Sequence, residues 1–260
     1  MTVAVATDLT QTPGGAGCFC ITLQAPRANA LEPGLLAALD AALDAAEAAD
    51  VPFVLLAGGR NFSSGGDVAR FLAAAERNEA EAYAAQVVPA LQRIVARMLA
   101  MPAVVATALR GAATGGAAGL VFAADLAVAA PDAFVQPYYR SVGFAPDGGW
   151  TAVLPERIGA GPARDWLRDD TRHGAAGLQA LGLVAAVDPA PEARALALMD
   201  GLNPGAALAA KALIWDAARR AQVSQRLAAE TEAFLARIGT ADTRAGMARF
   251  VDRSKVVQHV

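Results

Sequence analysis

Lysine is almost missing from this 260-residue chain: Lys211 and Lys255 are the only two among 22 basic residues. The arginines are scattered rather than clustered. With a net charge of −3 and a pI near 5.4, the chain has no basic field to hold a nucleic-acid backbone, so nucleic acid is excluded as a partner. Cysteine is equally scarce. Cys18 and Cys20 alternate in Cys18-Phe19-Cys20-Ile21-Thr22-Leu23, which puts both on one face of a strand and points to packing rather than redox or metal chemistry. Of the two histidines, His173 sits in the loop-like Asp170-Thr171-Arg172-His173-Gly174 and is expected to be exposed, and His259 lies near a loose end. Neither is a catalytic candidate, and no metal site is expected. The start, Met1-Thr2-Val3-Ala4-Val5-Ala6-Thr7-Asp8, lacks a basic segment followed by an apolar one, so no secretory signal is read and a cytoplasmic location is expected. Residues 112–130 superficially resemble a membrane span, but Asp125 and several glycines interrupt them; a buried helix and strand is expected, with no membrane partner.

Small residues, by contrast, are concentrated in two places. The run Gly111-Ala112-Ala113-Thr114-Gly115-Gly116-Ala117-Ala118-Gly119 strips nearly all side-chain bulk from a segment that continues into Leu120-Val121-Phe122-Ala123-Ala124. Asn61-Phe62-Ser63-Ser64-Gly65-Gly66-Asp67-Val68 follows the apolar run Phe53-Val54-Leu55-Leu56-Ala57 in the same way. Each is a strand end with bare backbone that opens toward a helix. Two such turns can aim two N–H donors at one oxygen, the geometry of an oxyanion hole. A nucleotide P-loop is excluded, because Gly115-Gly116 is not followed by Lys and Ser or Thr.

The rest of the chain alternates strands and helices. Strands are expected at residues 3–10 and 18–23 around the turn Pro13-Gly14-Gly15, then at 53–57, 103–109 and 126–129. Leu35, Leu36, Leu39 and Leu43 mark an amphipathic helix, and another is expected at residues 79–100. This pattern is that of an α/β protein with its site at strand ends. From about Pro204 the apolar residues fall at helical spacing only, so residues 1–200 are expected to form the substrate-binding core and residues 201–260 a helical C-terminal region suited to oligomer contacts.

Taken in order, these segments resemble the crotonase (enoyl-CoA hydratase/isomerase) superfamily along nearly the whole chain. Asn61–Asp67 is similar to the first oxyanion segment of that family and Arg110–Ala117 to the second; Leu181-Gly182-Leu183-Val184 and Thr240–Phe250 resemble its later signatures. The resemblance implies a crotonase-like ββα spiral with a helical C-terminal region, an acyl-CoA thioester substrate, assembly as a homotrimer or homohexamer, and no cofactor beyond the coenzyme A that is part of the substrate. It further implies that the N–H groups of Gly66 and Gly116 grip the thioester oxygen, each supplying roughly 3 kcal/mol to an enolate. Arg27 and Ala28 resemble the early CoA-contacting loop; Ser64, Asp67 and Val68 join them, with the last two near the adenine, and Arg60 is a further candidate for a CoA phosphate.

Hydratase-like members use two glutamates. The resemblance places Gly119 at the first position, and the stretch expected to carry the second, Phe134–Arg140, holds no carboxylate, with either Tyr138 or Tyr139 in its place. Both tyrosines are pocket candidates. What is present is Asp147, four residues after Gly143, in a position similar to that of the aspartate of isomerase-like members. One carboxyl beside an enolate can take a proton from one carbon and return it to another. Phe144, Ala145 and Trp150 are expected to supply the apolar wall that raises its pKa; as a plain residue type, Asp before Gly148-Gly149 also fits a turn. The expected function is therefore an enoyl-CoA isomerase. The alternatives are another crotonase-type reaction (hydrolysis, decarboxylation, dehalogenation or hydration) and a crotonase-fold scaffold without catalysis.

Overall fold

The protein is described from a computed structural model covering residues 4–257, with side chains described up to residue 253. The strand expected from Val3 starts outside that range and His259 lies beyond it. Among the described residues nine strands run in chain order: β1 (Val5–Gln11), β2 (Gly17–Leu23), β3 (Phe53–Gly58), β4 (Val104–Leu109), β5 (Ala112–Thr114), β6 (Leu126–Ala129), β7 (Phe134–Gln136), β8 (His173–Gly174) and β9 (Ala186–Val187). β1 and β2 form the expected hairpin. From β2 onward the main sheet is parallel, in the order β1-β2-β3-β4-β6-β9. β3 and β4 are buried at every residue, as parallel strands covered on both faces must be.

A second layer makes the spiral. After β2, β3, β4 and β6 the chain turns into a short extended piece that pairs with its counterpart in the neighbouring turn: Leu31 with Gly66, Ser63 with Ala113, and β5 with β7. A helix then returns it to the main sheet. The glycine run is therefore not all turn; Ala112–Thr114 is a strand, and only its later part is helical. Backbones meet closely here: a Cβ on Gly65, whose φ is +76°, would stand 2.4 Å from the Thr114 carbonyl oxygen.

The helices that matter below are α1 (Pro33–Ala48), α2 (Val68–Glu76), α3 (Ala80–Ala100), α4 (Ala118–Phe122), α5 (Tyr139–Val142), α6 (Leu154–Ile158), α7 (Ala160–Asp169), α8 (Ala175–Ala180), α9 (Pro191–Asp200), α10 (Pro204–Ile214), α11 (Ala217–Ile238) and α12 (Ala241–Val257). The region after Pro204 is helical as expected, but it is not set apart: α11 packs along α3 and α12 against α2. No helix among the described residues is long and apolar enough to cross a membrane. Cys18 and Cys20 are free thiols within the packing.

Asp125 has the structural role its position suggests. Its Oδ2 accepts from the Val105 N–H at 2.9 Å and from Lys211 Nζ at 2.7 Å, and the Lys211 side chain is only 6% exposed. Lys211 also donates to the Ala103 carbonyl, so α10 is tied to β4 through one buried ammonium. Asp125→Ala leaves that charge without its counter-ion and is expected to lower the unfolding free energy by about 3 kcal/mol in urea titrations. His173 differs from expectation. It opens β8, is half-buried, and meets the Trp166 ring edge-on at 4.5 Å, because β8 pairs with β7 and draws the segment into the second sheet.

Candidate active site

One cavity of about 710 Å³ gathers Gly66, Gly116, Asp147, Arg27, Ala28, Ser64, Asp67, Val68, Tyr138 and Tyr139. Arg60 is not among the residues that line it; it lies exposed beyond β3. Ser64 and Ala28 are joined by backbone, with the Ser64 N–H donating to the Ala28 carbonyl at 2.9 Å and Ser64 Oγ to the Arg27 carbonyl at 2.9 Å. Arg27, Ala28 and Asn29 form a left-handed turn with φ of 54°, 55° and 56°. Buried Asn29 anchors that turn by donating to the carbonyls of Asn61 and Phe62 and accepting from Ser63 Oγ through its own carbonyl. Arg27 pairs with Asp67 at 2.8 Å and also with Glu32, while half of its side chain stays in solvent.

Gly66 precedes Asp67, whose side chain caps α2 by accepting from the Arg70 N–H. Gly116 lies in a single 3₁₀ turn, Gly115–Ala117, that runs into α4. As a first-turn residue its N–H has no partner within the helix. Apolar side chains press on both glycines: a Cβ would stand 3.0 Å from Phe71 at Gly66 and 2.7 Å from Leu91 at Gly116. On the Gly116 side both carboxyl oxygens of Asp147 lie 3.1 Å from that same Cβ position.

Asp147 is 7% exposed. Tyr139 Oη, wholly buried, donates to its Oδ1 at 2.7 Å and to its backbone carbonyl at 3.0 Å. Burial pushes the carboxyl up to about 7, and the negative charge of Glu230 adds to that, while the Tyr139 hydrogen bond works the other way. Burial and the same carboxylate hold the Tyr139 phenol well above its ordinary value. Of the two tyrosines, Tyr139 is thus the one in contact with Asp147; Tyr138, at φ +62°, turns aside to meet Phe250 ring-to-edge at 5.3 Å. Ala145 and Trp150 are buried as expected, with Trp150 Nε1 bonded to the Gly115 carbonyl at 2.7 Å, and Phe144 lines the cavity.

The turn after Gly148 takes its side-chain acceptor from a residue distant in sequence. Glu230 on α11 accepts from the N–H groups of Gly149, Thr151 and Ala152 and from Thr151 Oγ1, at 2.6–3.0 Å. Sequence reasoning missed it, although a sign was there: Glu230 interrupts the apolar stripe Val223, Leu227, Phe234, Ile238 on one helix face. Of the cavity's aromatic end, only Phe144 is expected from the sequence. Phe71, Phe144 and Phe234 touch one another with centroids 5.0–5.7 Å apart, and Phe250 of α12 lines the cavity with them.

The absent carboxylate at Gly119 now has a physical cause. A Cβ there would stand 1.6 Å from the carbonyl oxygen of Gly148, so the loop that delivers Asp147 occupies the space a side chain would need. Gly148 in turn has φ +68° and would place a Cβ 2.5 Å from the Gly116 carbonyl oxygen. The cavity therefore offers one acidic group of near-neutral pKa beside a first-turn N–H, in apolar surroundings. Such a group can exchange a proton with a substrate carbon at neutral pH. Among the described residues no three His, Cys, Asp or Glu side chains gather as a metal site would require.

Known proteins share this architecture. The family model for enoyl-CoA hydratase/isomerase matches residues 14–258. A probable enoyl-CoA hydratase of Rhodobacter capsulatus is 32% identical over 243 residues, 91% of this chain and 92% of that one. Cyclohexa-1,5-dienecarbonyl-CoA hydratase of Thauera aromatica is 33% identical over 183 residues, 69% of this chain and 67% of that one. Among solved structures, an enoyl-CoA hydratase from Bacillus halodurans superposes with a TM-score of 0.84 at 22% identity, covering 95% of this chain and 99% of that one. One from Polaromonas sp. JS666 gives 0.73 at 30% identity, with 95% and 97% covered.

Proposed function

We propose, from the premise that this chain belongs to the enoyl-CoA hydratase/isomerase (crotonase) family, that it is an acyl-CoA isomerase that shifts a carbon–carbon double bond. The N–H groups of Gly66 and Gly116 hold the thioester oxygen. Asp147, as carboxylate, takes a proton from C2 of a 3-enoyl-CoA; the C–H electron pair moves into C1–C2 and charge collects on the held oxygen. The same carboxyl then gives the proton to C4 as the double bond settles between C2 and C3. Nothing is added or lost.

One observation carries this reading: the acid beside Gly116 is Asp147, and the backbone of Gly148 fills the place where, by the resemblance, a hydratase-like member keeps a glutamate. Arg27, half in solvent, is the group suited to CoA phosphates, with Ala28 and Ser64 along the thioester arm and Asp67 and Val68 near the adenine. Arg60, outside the cavity lining, is left with no more than a role at the phosphates farthest from the thioester. Phe71, Phe144 and Phe234 favour an apolar acyl group. Exposed Leu213 and Ile214 at the end of α10, at 80% and 53% exposure, suit burial between copies in a homotrimer or homohexamer.

The test is to offer a 3-enoyl-CoA and crotonyl-CoA separately and follow both by mass. Isomerisation of the first with little hydration of the second is expected; rapid hydration would reverse the assignment, and many relatives bear hydratase names. Because the carboxylate is the working form, kcat/KM should rise with pH through about 7 and level off above it.

A further inference from the structure

We propose that Glu230 is a positioning residue for this reaction: from helix α11 it clasps the loop 147–152 and fixes the Asp147 carboxyl beside Gly116. The inference rests on the proton-transfer reading above. Its support is geometric. Oε2 accepts from the Gly149 N–H at 2.8 Å; Oε1 accepts from the Thr151 N–H at 2.7 Å, the Ala152 N–H at 3.0 Å and Thr151 Oγ1 at 2.6 Å. These N–H groups begin the turn in which Val153 and Leu154 both donate to the Gly149 carbonyl, so Glu230 supplies the capping acceptor that a neighbouring residue ordinarily gives.

The loop is held from both sides. Toward α4 it can go no farther, since the Gly148 carbonyl already fills the space above Gly119. Away from α4 it is restrained by Glu230. The height of α11 is itself set by buried Gln92, which donates to the Leu227 carbonyl and accepts from Thr231 Oγ1 at 2.5 Å. Gln92 follows Leu91, the residue that packs on Gly116. Gly116, α3, α11, Glu230 and Asp147 thus form a closed ring of contacts, in which a shift at Glu230 moves the acid relative to the amide it serves. The titratable groups that act on Asp147 are Tyr139 and Glu230, and those that act on Tyr139 are Asp147 and Glu230.

Glu230→Gln keeps the volume but sets an amide N–H₂ or a lost acceptor against the loop donors. It is expected to lower kcat about 100-fold, the cost of a reacting group displaced by about 1 Å, with KM within two-fold because the CoA-side residues are untouched. It also removes a negative charge near Asp147, so the acid limb of kcat/KM should move to lower pH. Thr151→Ala, at an exposed position, removes only the hydroxyl bond and should lower kcat about five-fold, again at constant KM. If Glu230→Gln does not fold, Thr151→Ala carries the test. Variants that lose melting temperature yet keep wild-type kcat and the wild-type pH limb overturn the proposal. Titration of the Asp147 carboxyl by ¹³C NMR, assigned with Asp147→Asn, needs no substrate. A downward move in Glu230→Gln alongside an inactive wild type would count against the isomerase reading and for the Glu230 contact. An unmoved titration in an active isomerase would sink the Glu230 role alone.

Discussion

Asp147→Asn is expected to cut isomerisation by about 1000-fold while leaving the affinity for a saturated acyl-CoA unchanged, since it removes the group that carries the proton and keeps the shape of the side chain. Asparagine fits the site: its Oδ1 still accepts from Tyr139 Oη, and the backbone N–H of residue 147, which bonds the carboxyl, still meets an amide oxygen. The same substitution should make the protein more stable. The folded carboxyl titrates near 7 and the unfolded one in the ordinary carboxylate range, so the folded state holds a proton that the unfolded state has released. Wild-type stability therefore falls as pH rises between those values, and the full cost is present above 7. Melting temperatures at pH 8 should favour Asp147→Asn, and the difference should shrink as pH falls toward 4. Loss of activity joined to gain of stability is what a buried group kept for chemistry gives. An equal loss of both would describe Asp147 as a structural residue.

Gly119→Glu should not yield a hydratase. Its Cβ alone would overlap the Gly148 carbonyl oxygen at 1.6 Å, so the 147–152 loop must move before any carboxylate can be placed. Overpacking against backbone rather than a flexible side-chain end is expected to cost about 3 kcal/mol or more, and Gly119→Ala should show most of that cost. With the loop displaced, the isomerisation rate should fall about 100-fold in Gly119→Ala. Thermal melts, isomerisation rates and crotonyl-CoA hydration measure the three parts. A Gly119→Glu protein that melts with the wild type and hydrates crotonyl-CoA would mean that the loop yields easily.

Much of this site was legible because its chemistry is written in residue types. Glycines at 66 and 116 and an acid at 147 can be read from spacing and resemblance, and the strands Phe53–Gly58 and Leu126–Ala129 from apolar runs. What could not be read depends on contacts distant in sequence. Glu230 reaches its donors across 78–81 residues, and nothing local to 149–152 reveals that its cap is imported. Phe234 and Phe250 were assigned to a helical appendage, because helical periodicity tells which face is apolar but not what it covers. Arg60 stands out in the sequence only by its charge, and a surface arginine has no fixed address. His173 looked like a loop residue because a two-residue strand leaves no pattern. Why Gly119 must be glycine was hidden for a simpler reason: the obstacle is a carbonyl oxygen, which every sequence has.

The most direct measurement is the mass of the acyl-CoA formed from a 3-enoyl-CoA in heavy water, with wild type and Asp147→Asn side by side. An isomerase in which Asp147 carries the proton from C2 to C4 gives 2-enoyl-CoA with little hydroxyacyl-CoA, and with deuterium only to the extent that the carboxyl exchanges with solvent before it returns the proton, while the Asp147→Asn protein gives neither product nor label. Hydroxyacyl-CoA as the main wild-type product, or 2-enoyl-CoA formed at the wild-type rate by Asp147→Asn, would contradict it.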